Sequence, residues 1–236
     1  MDTILITGSN RGIGLGLTKT LLAGGHTVIA AARRAEESTE LKVLKKQHAN
    51  AVTLLKFDVD DAAGVREAAK QLQKHHGRLD VIVNNAAIFP EEGDESILEM
   101  DLELIERAFK TNVIGAARVI QSFSPLLLQS NRPRILNVSS SLGSISDKHD
   151  HGNYAYSISK AALNMFSRAC AAELRSKNAV VVAISPGWVR TDMGGKNADI
   201  SVEESAEALA HAIATIGPDE NGKFLDRHGK SGKYRW

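Results

Sequence analysis

The sequence predicts an α/β protein built on a doubly wound parallel sheet of about seven strands with helices on both faces. Short apolar runs alternate with segments of helical periodicity along the whole chain, which is typical of repeated strand–helix–strand units. Most of these apolar runs are continuous rather than alternating, as in strands that are buried on both faces. We therefore predict a single domain over residues 1–236.

The apolar runs and the helical segments give the expected element bounds. The strands are predicted at Thr3–Thr7, His26–Ala32, Val52–Phe57, Leu79–Val83, Arg134–Val138, Ala179–Ile184 and Lys223–Asp226. The helices are predicted at Gly12–Ala23, Glu37–Ala49, from a cap at Asp60 to about His75, and at Asp101–Gln129, Asn153–Arg175 and Ser201–Ile216. Ligands of such sheets bind beyond the carboxyl ends of the strands, so functional residues are expected directly after them.

Composition limits the function classes. A net charge of +1 gives no electrostatic reason to expect a nucleic acid or an anionic membrane as partner. Cys170 is the single cysteine, which excludes an intrachain disulfide and favours a cytoplasmic setting. The apolar run at Thr3–Thr7 is too short for a leader or a membrane span, and no metal site is expected.

A glycine cluster follows the first strand and reads Thr7-Gly8-Ser9-Asn10-Arg11-Gly12-Ile13-Gly14. Glycines at a strand-to-helix turn let the backbone approach a pyrophosphate, and the helix start attracts that anion. The turn therefore indicates a dinucleotide site of the Rossmann type, although a purely structural turn is the alternative. A P-loop is disfavoured, because Lys19-Thr20 follows Thr18 rather than a glycine.

The end of the second strand bears on the choice of cofactor. An NAD site would place an acidic side chain there for the ribose hydroxyls, but the sequence reads Ala30-Ala31-Ala32-Arg33-Arg34. Arg33 or Arg34 could hold the 2′-phosphate of NADP, with Arg11 assisting, since the guanidinium suits a phosphate. The sequence thus favours NADP(H) over NAD(H), with a solvated basic pair as the alternative.

Tyr156 and Lys160 are spaced to lie one helical turn apart on the same face. A free tyrosine has a pKa of about 10 and is a poor acid–base group near neutrality. A neighbouring ammonium favours the phenolate and lowers that pKa. The pair therefore predicts a tyrosine acid–base group activated by lysine, although the spacing also occurs in ordinary helices.

Together these motifs resemble the short-chain dehydrogenase/reductase family, which combines Thr-Gly-x-x-x-Gly-x-Gly with Tyr-x-x-x-Lys. The resemblance implies cofactor contacts from Asp58 and Val59 with the adenine, and from Asn85 and Ala86 along the groove. Ala87 departs from the family's usual glycine, so a left-handed backbone is not expected there.

The resemblance also implies further residues at the catalytic end. Ser140 matches the catalytic serine, with Ser139 and Ser141 as second choices, and would hydrogen-bond the substrate oxygen. Asn112 matches the family's helix asparagine, whose backbone carbonyl would hold a water linked to Lys160. The nicotinamide carboxamide would be bracketed by Pro186, Gly187, Val189 and Thr191.

The implied function is NADP(H)-dependent interconversion of a carbonyl and an alcohol, with Tyr156 as proton donor. The tail and the Pro186–Gly195 stretch resemble the small carbonyl reductases that include sniffer and C-factor. A cofactor-binding signalling or scaffold protein with little turnover is the alternative. A sugar epimerase or dehydratase would need a further substrate domain after Thr191.

The substrate pocket and the subunit contacts are the remaining expectations. Three segments should form the pocket of a small carbonyl or alcohol substrate: Ile88–Ser96, Leu142–Asn153 and Trp188–Ala198. A homodimer or homotetramer is expected through the two long helices. Its apolar candidates, which could equally be core, are Ile105, Phe109, Leu163 and Phe166.

Overall fold

Parallel strands form a single sheet through the middle of the molecule. The computed structural model describes residues 1–91 and 96–236, and within them seven strands pair in the order β3-β2-β1-β4-β5-β6-β7. The strands are β1 Thr3–Thr7, β2 Thr27–Ala32, β3 Val52–Lys56, β4 Val81–Asn84, β5 Arg134–Val138, β6 Val180–Ile184 and β7 Phe224–Leu225. All six pairings are parallel, so the predicted doubly wound sheet is confirmed.

Helices cover both faces of this sheet. Over the same described residues they are α1 Gly12–Ala23, α2 Thr39–Gln47, α3 Ala62–Gln73, α4 Glu103–Phe109, α5 Ala116–Leu127, α6 Tyr154–Leu174 and α7 Val202–Thr215. Ile4 and Ile6 of β1 pack in a cluster with α1, α2 and α7, whereas Leu5 packs with α3, α5 and α6. Neighbouring residues of one strand therefore face opposite layers, which explains why the strands read as continuous apolar runs.

Two helix starts differ from the predicted ones. The predicted cap of α3 was Asp60, but Asp61 caps it by accepting from the Ala63 amide at 3.0 Å, while Asp60 accepts from Thr111 Oγ1. The second helix begins at Thr39 rather than Glu37, because Ser38 accepts from the Leu41 amide. At α7, Ser201 and Glu204 form a capping box.

The long helix predicted at Asp101–Gln129 is interrupted. α4 ends at Phe109, a π-helical segment spans Lys110–Gly115, and α5 follows. A π-helical turn inserts one residue into the helix and is often found at functional sites. Here it contains Asn112, a predicted site residue.

The topology sets the place of the site. β1 lies between β2 and β4. The helix that follows β1 (α1) packs on one face of the sheet, and α5, which comes after β4, packs on the other. The crevice beyond such a switch point is where doubly wound sheets bind ligands. Across the part of the chain that the structure describes, no helix has both the length and the apolar character required to cross a bilayer.

Candidate active site

The turn between β1 and α1 has a backbone that its glycines make accessible. Gly8 and Gly12 have φ values of 68° and 52°, in the left-handed region where other residues are strained. A Cβ on Gly14 would collide with the carbonyl oxygen of Gly8. The residue before α1, Arg11, does not cap the helix with its side chain. The first amides of α1 thus remain available for an anion such as a pyrophosphate.

Hydrogen bonds fasten this turn to the end of β4. Thr7 Oγ1 accepts from the backbone amides of Asn85 and Ala86, each at 3.0 Å. Asn85 Nδ2 donates to the carbonyl oxygens of Thr7 at 2.8 Å and Gly8 at 3.3 Å. Thr7, which sequence reasoning quoted without assigning a role, therefore holds the two predicted cofactor segments together.

A groove of about 930 Å³ runs across these strand ends. That volume is large enough for a drug-sized ligand or more. The predicted site residues that line it are Gly8, Asn10, Arg11, Gly12, Ile13, Arg33, Arg34, Asp58, Val59, Asn85, Ala86, Tyr156, Lys160, Pro186 and Thr191.

Three predicted cofactor residues do not line the groove. Gly14 packs against the Gly8 backbone behind it. Gly187 has a φ of 86°, and a Cβ there would lie 2.8 Å from Ile200. Val189 is buried and pairs with Ile200. These three residues therefore help to shape the backbone around the groove but are not among the residues that line it.

Each of the three predicted phosphate-binding arginines faces an acidic side chain. Nη1 of Arg11 lies 2.9 Å from Asp192 across the groove. Nη1 of Arg33 lies 3.9 Å from Asp58, and Nε of Arg34 lies 3.9 Å from Glu37. All three arginine side chains are at least two-thirds exposed, so these are weak pairs that a phosphate could replace. Glu40 of α2 also lines the groove.

Tyr156 and Lys160 lie at the inner end of the groove, one turn apart on α6. Tyr156 is 8% exposed and Lys160 is 2% exposed. Lys160 Nζ lies 5.4 Å from the centre of the Tyr156 ring and donates to the Val138 carbonyl oxygen at 2.8 Å. Phe89 packs against the tyrosine, with its ring centre 4.7 Å from that of Tyr156.

Burial dominates the ionisation of this pair. It raises the pKa of Tyr156 to about 12, hydrogen bonding from Ser140 lowers that pKa, and the charge of Glu91 raises it. Burial also lowers the pKa of Lys160 to about 7. The sequence predicted that the lysine ammonium would lower the tyrosine pKa. In the structure the pKa of Tyr156 is raised instead, because both side chains are buried and burial also disfavours the positive charge of Lys160.

Ser140 is the serine that faces Tyr156. It precedes the 3₁₀ turn Ser141–Gly143, accepts from the Leu142 amide at 3.2 Å and lies close enough to the phenol to affect its pKa. Ser139 is buried and donates to Asn164 Oδ1 at 2.6 Å, and Ser141 is exposed. Of the three candidates, only Ser140 has this relation to Tyr156.

Asn112 connects the π-helical segment to the chain after β4 and to α6. Its Oδ1 accepts from the Ile88 amide at 2.8 Å, and its Nδ2 donates to the Ile88 carbonyl oxygen and to Ser159 Oγ. Ser159 Oγ in turn donates to the Tyr156 carbonyl oxygen at 2.7 Å. The side chain is fully used by the fold, so only its backbone is left for the predicted water contact.

Sequence reasoning missed several residues at the site. Arg107 and Lys110 of the interrupted helix line the groove. Glu91 belongs to the predicted pocket segment Ile88–Ser96 but was given no role, and it accepts from the Tyr156 amide at 2.9 Å across 65 residues of sequence. None stands in a motif, and only the fold brings them to Tyr156 or to the groove.

The predicted substrate pocket is only partly visible. Its first segment, Ile88–Ser96, includes residues 92–95, which lie outside the described residues. In the third segment, Trp188 and Met193 are about half exposed, and Trp188 Nε1 donates to the Gly194 carbonyl oxygen. These two apolar side chains are available to contact a substrate.

A doubly wound sheet with a glycine-lined groove and a buried Tyr–Lys pair at its strand ends defines a class, the Rossmann-type oxidoreductases. The family model described as short chain dehydrogenase matches residues 2–201. The chain belongs to this family, and the predicted resemblance is confirmed.

Individual relatives agree with this assignment. The carbonyl reductase Sniffer of D. melanogaster is 32% identical, with a TM-score of 0.94 and a match over 100% of both chains. An NADPH-bound carbonyl reductase from chicken fatty liver is 30% identical, with a TM-score of 0.89 over 100% of this chain and 99% of that one. C-signal of Myxococcus xanthus is 37% identical over 65% of this chain and 91% of that protein.

Proposed function

We propose that this protein is an NADP(H)-dependent carbonyl reductase, with one catalytic domain over residues 1–236. The observation that carries the proposal is the position of Tyr156 and Lys160 at the inner end of the glycine-lined groove, with Ser140 next to the Tyr156 phenol. The similarity to Sniffer and to the NADPH-bound chicken enzyme supports both the reaction and the cofactor.

The residues present fit a dinucleotide. The left-handed Gly8 and Gly12 leave the backbone open to a pyrophosphate, and Asn10 and Ile13 line the same turn. Asp58 and Val59 would contact the adenine, and Asn85 and Ala86 the middle of the groove. Pro186 and Thr191 would meet the nicotinamide end, with Gly187 and Val189 shaping the wall. A 2′-phosphate would find Arg11, Arg33 and Arg34 at the groove. Bound NADPH would supply the hydride.

The side chains then divide the proton chemistry. Tyr156 holds its proton near neutral pH, since its pKa is raised to about 12, and donates it to the carbonyl oxygen. The Ser140 hydroxyl donates a hydrogen bond to the same oxygen as negative charge develops there. Lys160 has a pKa of about 7 and can return a proton to the phenolate. Asn112 would complete the relay through a water at its backbone carbonyl.

The substrate that fits best is a small neutral carbonyl compound with an apolar body. Phe89 packs against Tyr156, and Trp188 and Met193 stand exposed after β6. The buried carboxylate of Glu91 beside Tyr156 disfavours an anionic group next to the reacting carbonyl.

We also propose a homodimer formed through α6. Ile158 and Met165 are 45% and 68% exposed and stand seven residues apart on one face of α6. Phe109 and Ile114 of the interrupted helix are also exposed. Of the sequence candidates, Phe109 is exposed, whereas Leu163, Ile105 and Phe166 pack in core clusters.

The half-buried Cys170, as the single cysteine, supports the proposal of a cytoplasmic location.

The first test follows NADPH consumption with aldehydes, ketones and quinones, comparing the parent chain with Tyr156→Phe. We expect kcat/KM to fall by about 10²–10⁴-fold in the variant, because the phenol is the proton donor. NADH should serve less well than NADPH. Tyr154→Phe is the matched control, since it removes a hydroxyl from the same turn of α6 and should leave the rate nearly unchanged.

Tight NADPH binding without turnover of any carbonyl in the parent chain would contradict the enzyme proposal. That result would favour a cofactor-binding signalling protein. Equal rates in Tyr156→Phe and the parent would instead reject the assigned proton donor.

A further inference from the structure

Glu91 is a buried acid in direct contact with the helix turn that carries Tyr156. It is 8% exposed, and its Oε1 accepts from the Tyr156 backbone amide at 2.9 Å. Among the described residues, its Oε2 is buried with no hydrogen-bond partner. A carboxylate oxygen without a donor is unfavourable in a protein interior, so this arrangement needs a reason.

Capping of α6 is one part of that reason. The residue before the helix, Asn153, has a φ of 53° and gives no side-chain cap. Tyr156 is the third residue of α6, so its amide is one of the four that lack a partner within the helix. Glu91 satisfies this amide from a remote segment, and its negative charge is favoured at the helix start.

Capping alone does not require a charge. A neutral amide or hydroxyl oxygen would accept the same hydrogen bond, as most helix caps do. What the carboxylate adds is a buried negative charge, close enough to the phenol to raise its pKa. The same segment also presents Phe89 to the Tyr156 ring, so it controls both the packing and the electrostatics of the tyrosine.

We propose that Glu91 is a positioning residue for carbonyl reduction, whose buried carboxylate fixes the start of α6 and disfavours the loss of the Tyr156 proton. This inference rests on the proposed function. A negative charge close to a phenol disfavours the phenolate. The charge of Glu91 accordingly raises the pKa of Tyr156, in addition to the larger effect of burial.

Within the part of the chain that the structure describes, two further polar groups face the phenol. Lys160 of α6 and the Ser140 hydroxyl from the loop after β5 face it, and Ser140 lowers its pKa. Further charged groups on the adjoining elements are Arg107 and Lys110 on the interrupted helix, Arg190 and Asp192 after β6, and the exposed His149, Asp150 and His151 before α6. Glu92, Asp94 and Glu95 lie outside the described residues.

The test separates charge from hydrogen bonding by comparing Glu91→Gln, Glu91→Asp and Glu91→Ala. In Glu91→Gln we expect the alkaline limb of kcat/KM for reduction to move down by about 0.5–1 pH unit, because the phenol ionises more easily. Alcohol oxidation below that limb should rise by roughly 3–10-fold, since more phenolate is present. Glu91→Asp keeps the charge and should keep the limb near its parental position.

A purely structural cap predicts a different pattern. Glu91→Gln would then have the parental pH profile, and only Glu91→Ala would change, through lower unfolding stability. An unmoved limb in a folded Glu91→Gln would overturn the proposal. If that variant does not fold, Glu91→Ser supplies a second uncharged side chain. Glu103→Gln is the matched control, because it removes an exposed carboxylate from α4, which packs against α6.

A readout that needs no turnover keeps this inference distinct from the proposed function. In protein labelled with ¹³C at tyrosine Cζ, and assigned with Tyr156→Phe, the Tyr156 signal should begin to shift at lower pH in Glu91→Gln than in the parent. Coincident onsets would reject the effect of Glu91 even if no carbonyl substrate were found. Failure of reduction with a clear difference in onset would reject only the enzyme proposal.

Discussion

The three arginines at the groove differ in how firmly an acid holds them. Arg11 makes a direct ion pair with Asp192 at 2.9 Å, which joins the glycine turn to the loop after β6. Arg33 and Arg34 are only loosely paired, with Asp58 and Glu37 at 3.9 Å. A phosphate that binds Arg11 must therefore compete with a carboxylate, whereas Arg33 and Arg34 are freer to turn toward it.

This difference gives a prediction for cofactor binding. In Asp192→Asn, Arg11 is released, and we expect NADPH to bind roughly 1.4- to fivefold more tightly, as an exposed ion pair contributes about 0.2–1 kcal/mol. NADH affinity should not change, since it has no 2′-phosphate. Tryptophan fluorescence or calorimetric titration of both cofactors measures the two affinities.

The matched control is Glu37→Gln, which releases Arg34 in the same way. Tighter NADPH binding in this variant alone would assign the phosphate to Arg34 rather than Arg11. An equal gain for NADH and NADPH in Asp192→Asn would contradict a role of Arg11 at the 2′-phosphate and indicate only a more open groove.

At the scale of single residues, the sequence predicts what local geometry requires. The glycines at Gly8 and Gly12 and the Tyr156–Lys160 spacing are visible because a turn and a helix face impose them. The cap of α3 was assigned to the wrong member of an Asp-Asp pair, because the partner that occupies Asp60 is Thr111, distant in sequence. The contact of Glu91 with Tyr156 was missed for the same reason, as this partner lies on α6.

At the scale of elements, most bounds were predicted within one or two residues. Buried strands and amphipathic helices can be predicted from the periodicity of their apolar residues. The ends of helices differ by one or two residues between methods of assignment. The π-helical segment at Lys110–Gly115 has no such signal. This segment contains Asn112, whose side chain hydrogen-bonds both Ile88 and Ser159. The feature that coincides with the π-helical turn is therefore a set of tertiary hydrogen bonds, which local sequence does not reveal.

The exposed face of α6 gives a prediction about the proposed homodimer. Replacing Ile158 and Met165 together by Glu should convert a dimer to a monomer, because charges would be buried in the centre of the interface. Sedimentation velocity over a range of protein concentrations would measure the change.

Val43→Glu is the control for this experiment, since it adds a charge at an exposed apolar position on α2, outside the α6 face. The double variant should retain its unfolding stability at low concentration, because both side chains are exposed in the single chain. A parent protein that remains monomeric at high concentration would contradict the proposed homodimer.

For the whole molecule, the site and the core share the same helix. α6 contributes Leu163 and Ala171 to core clusters and Tyr156 and Lys160 to the groove. Lys160 is therefore buried by the packing that stabilises the fold. A lysine held in this way should lower the free energy of unfolding at a pH where it would carry its charge in the unfolded chain.

The pH dependence of the free energy of unfolding tests whether burial of Lys160 destabilises the fold. The pKa of Lys160 is about 7 in the folded chain, against an ordinary value of 10.5. Between these values the unfolded chain binds the proton and the folded chain does not, so stability must rise with pH across this window. The destabilisation is complete below about pH 7 and disappears as pH approaches 10.5.

Lys160→Met should remove this dependence. We expect the stability of the parent to rise relative to the variant by at most about 1.4 kcal/mol per pH unit above neutrality. Urea unfolding at several values between pH 6 and 9 measures the difference, and a constant offset from the lost bond to Val138 does not affect the slope. Lys56→Met, at an exposed position, keeps Lys160 and should show the same rise of stability with pH as the parent. Equal slopes for the parent and Lys160→Met would mean that Lys160 stays charged in the folded protein, and that its proton is held by the site rather than released near neutrality.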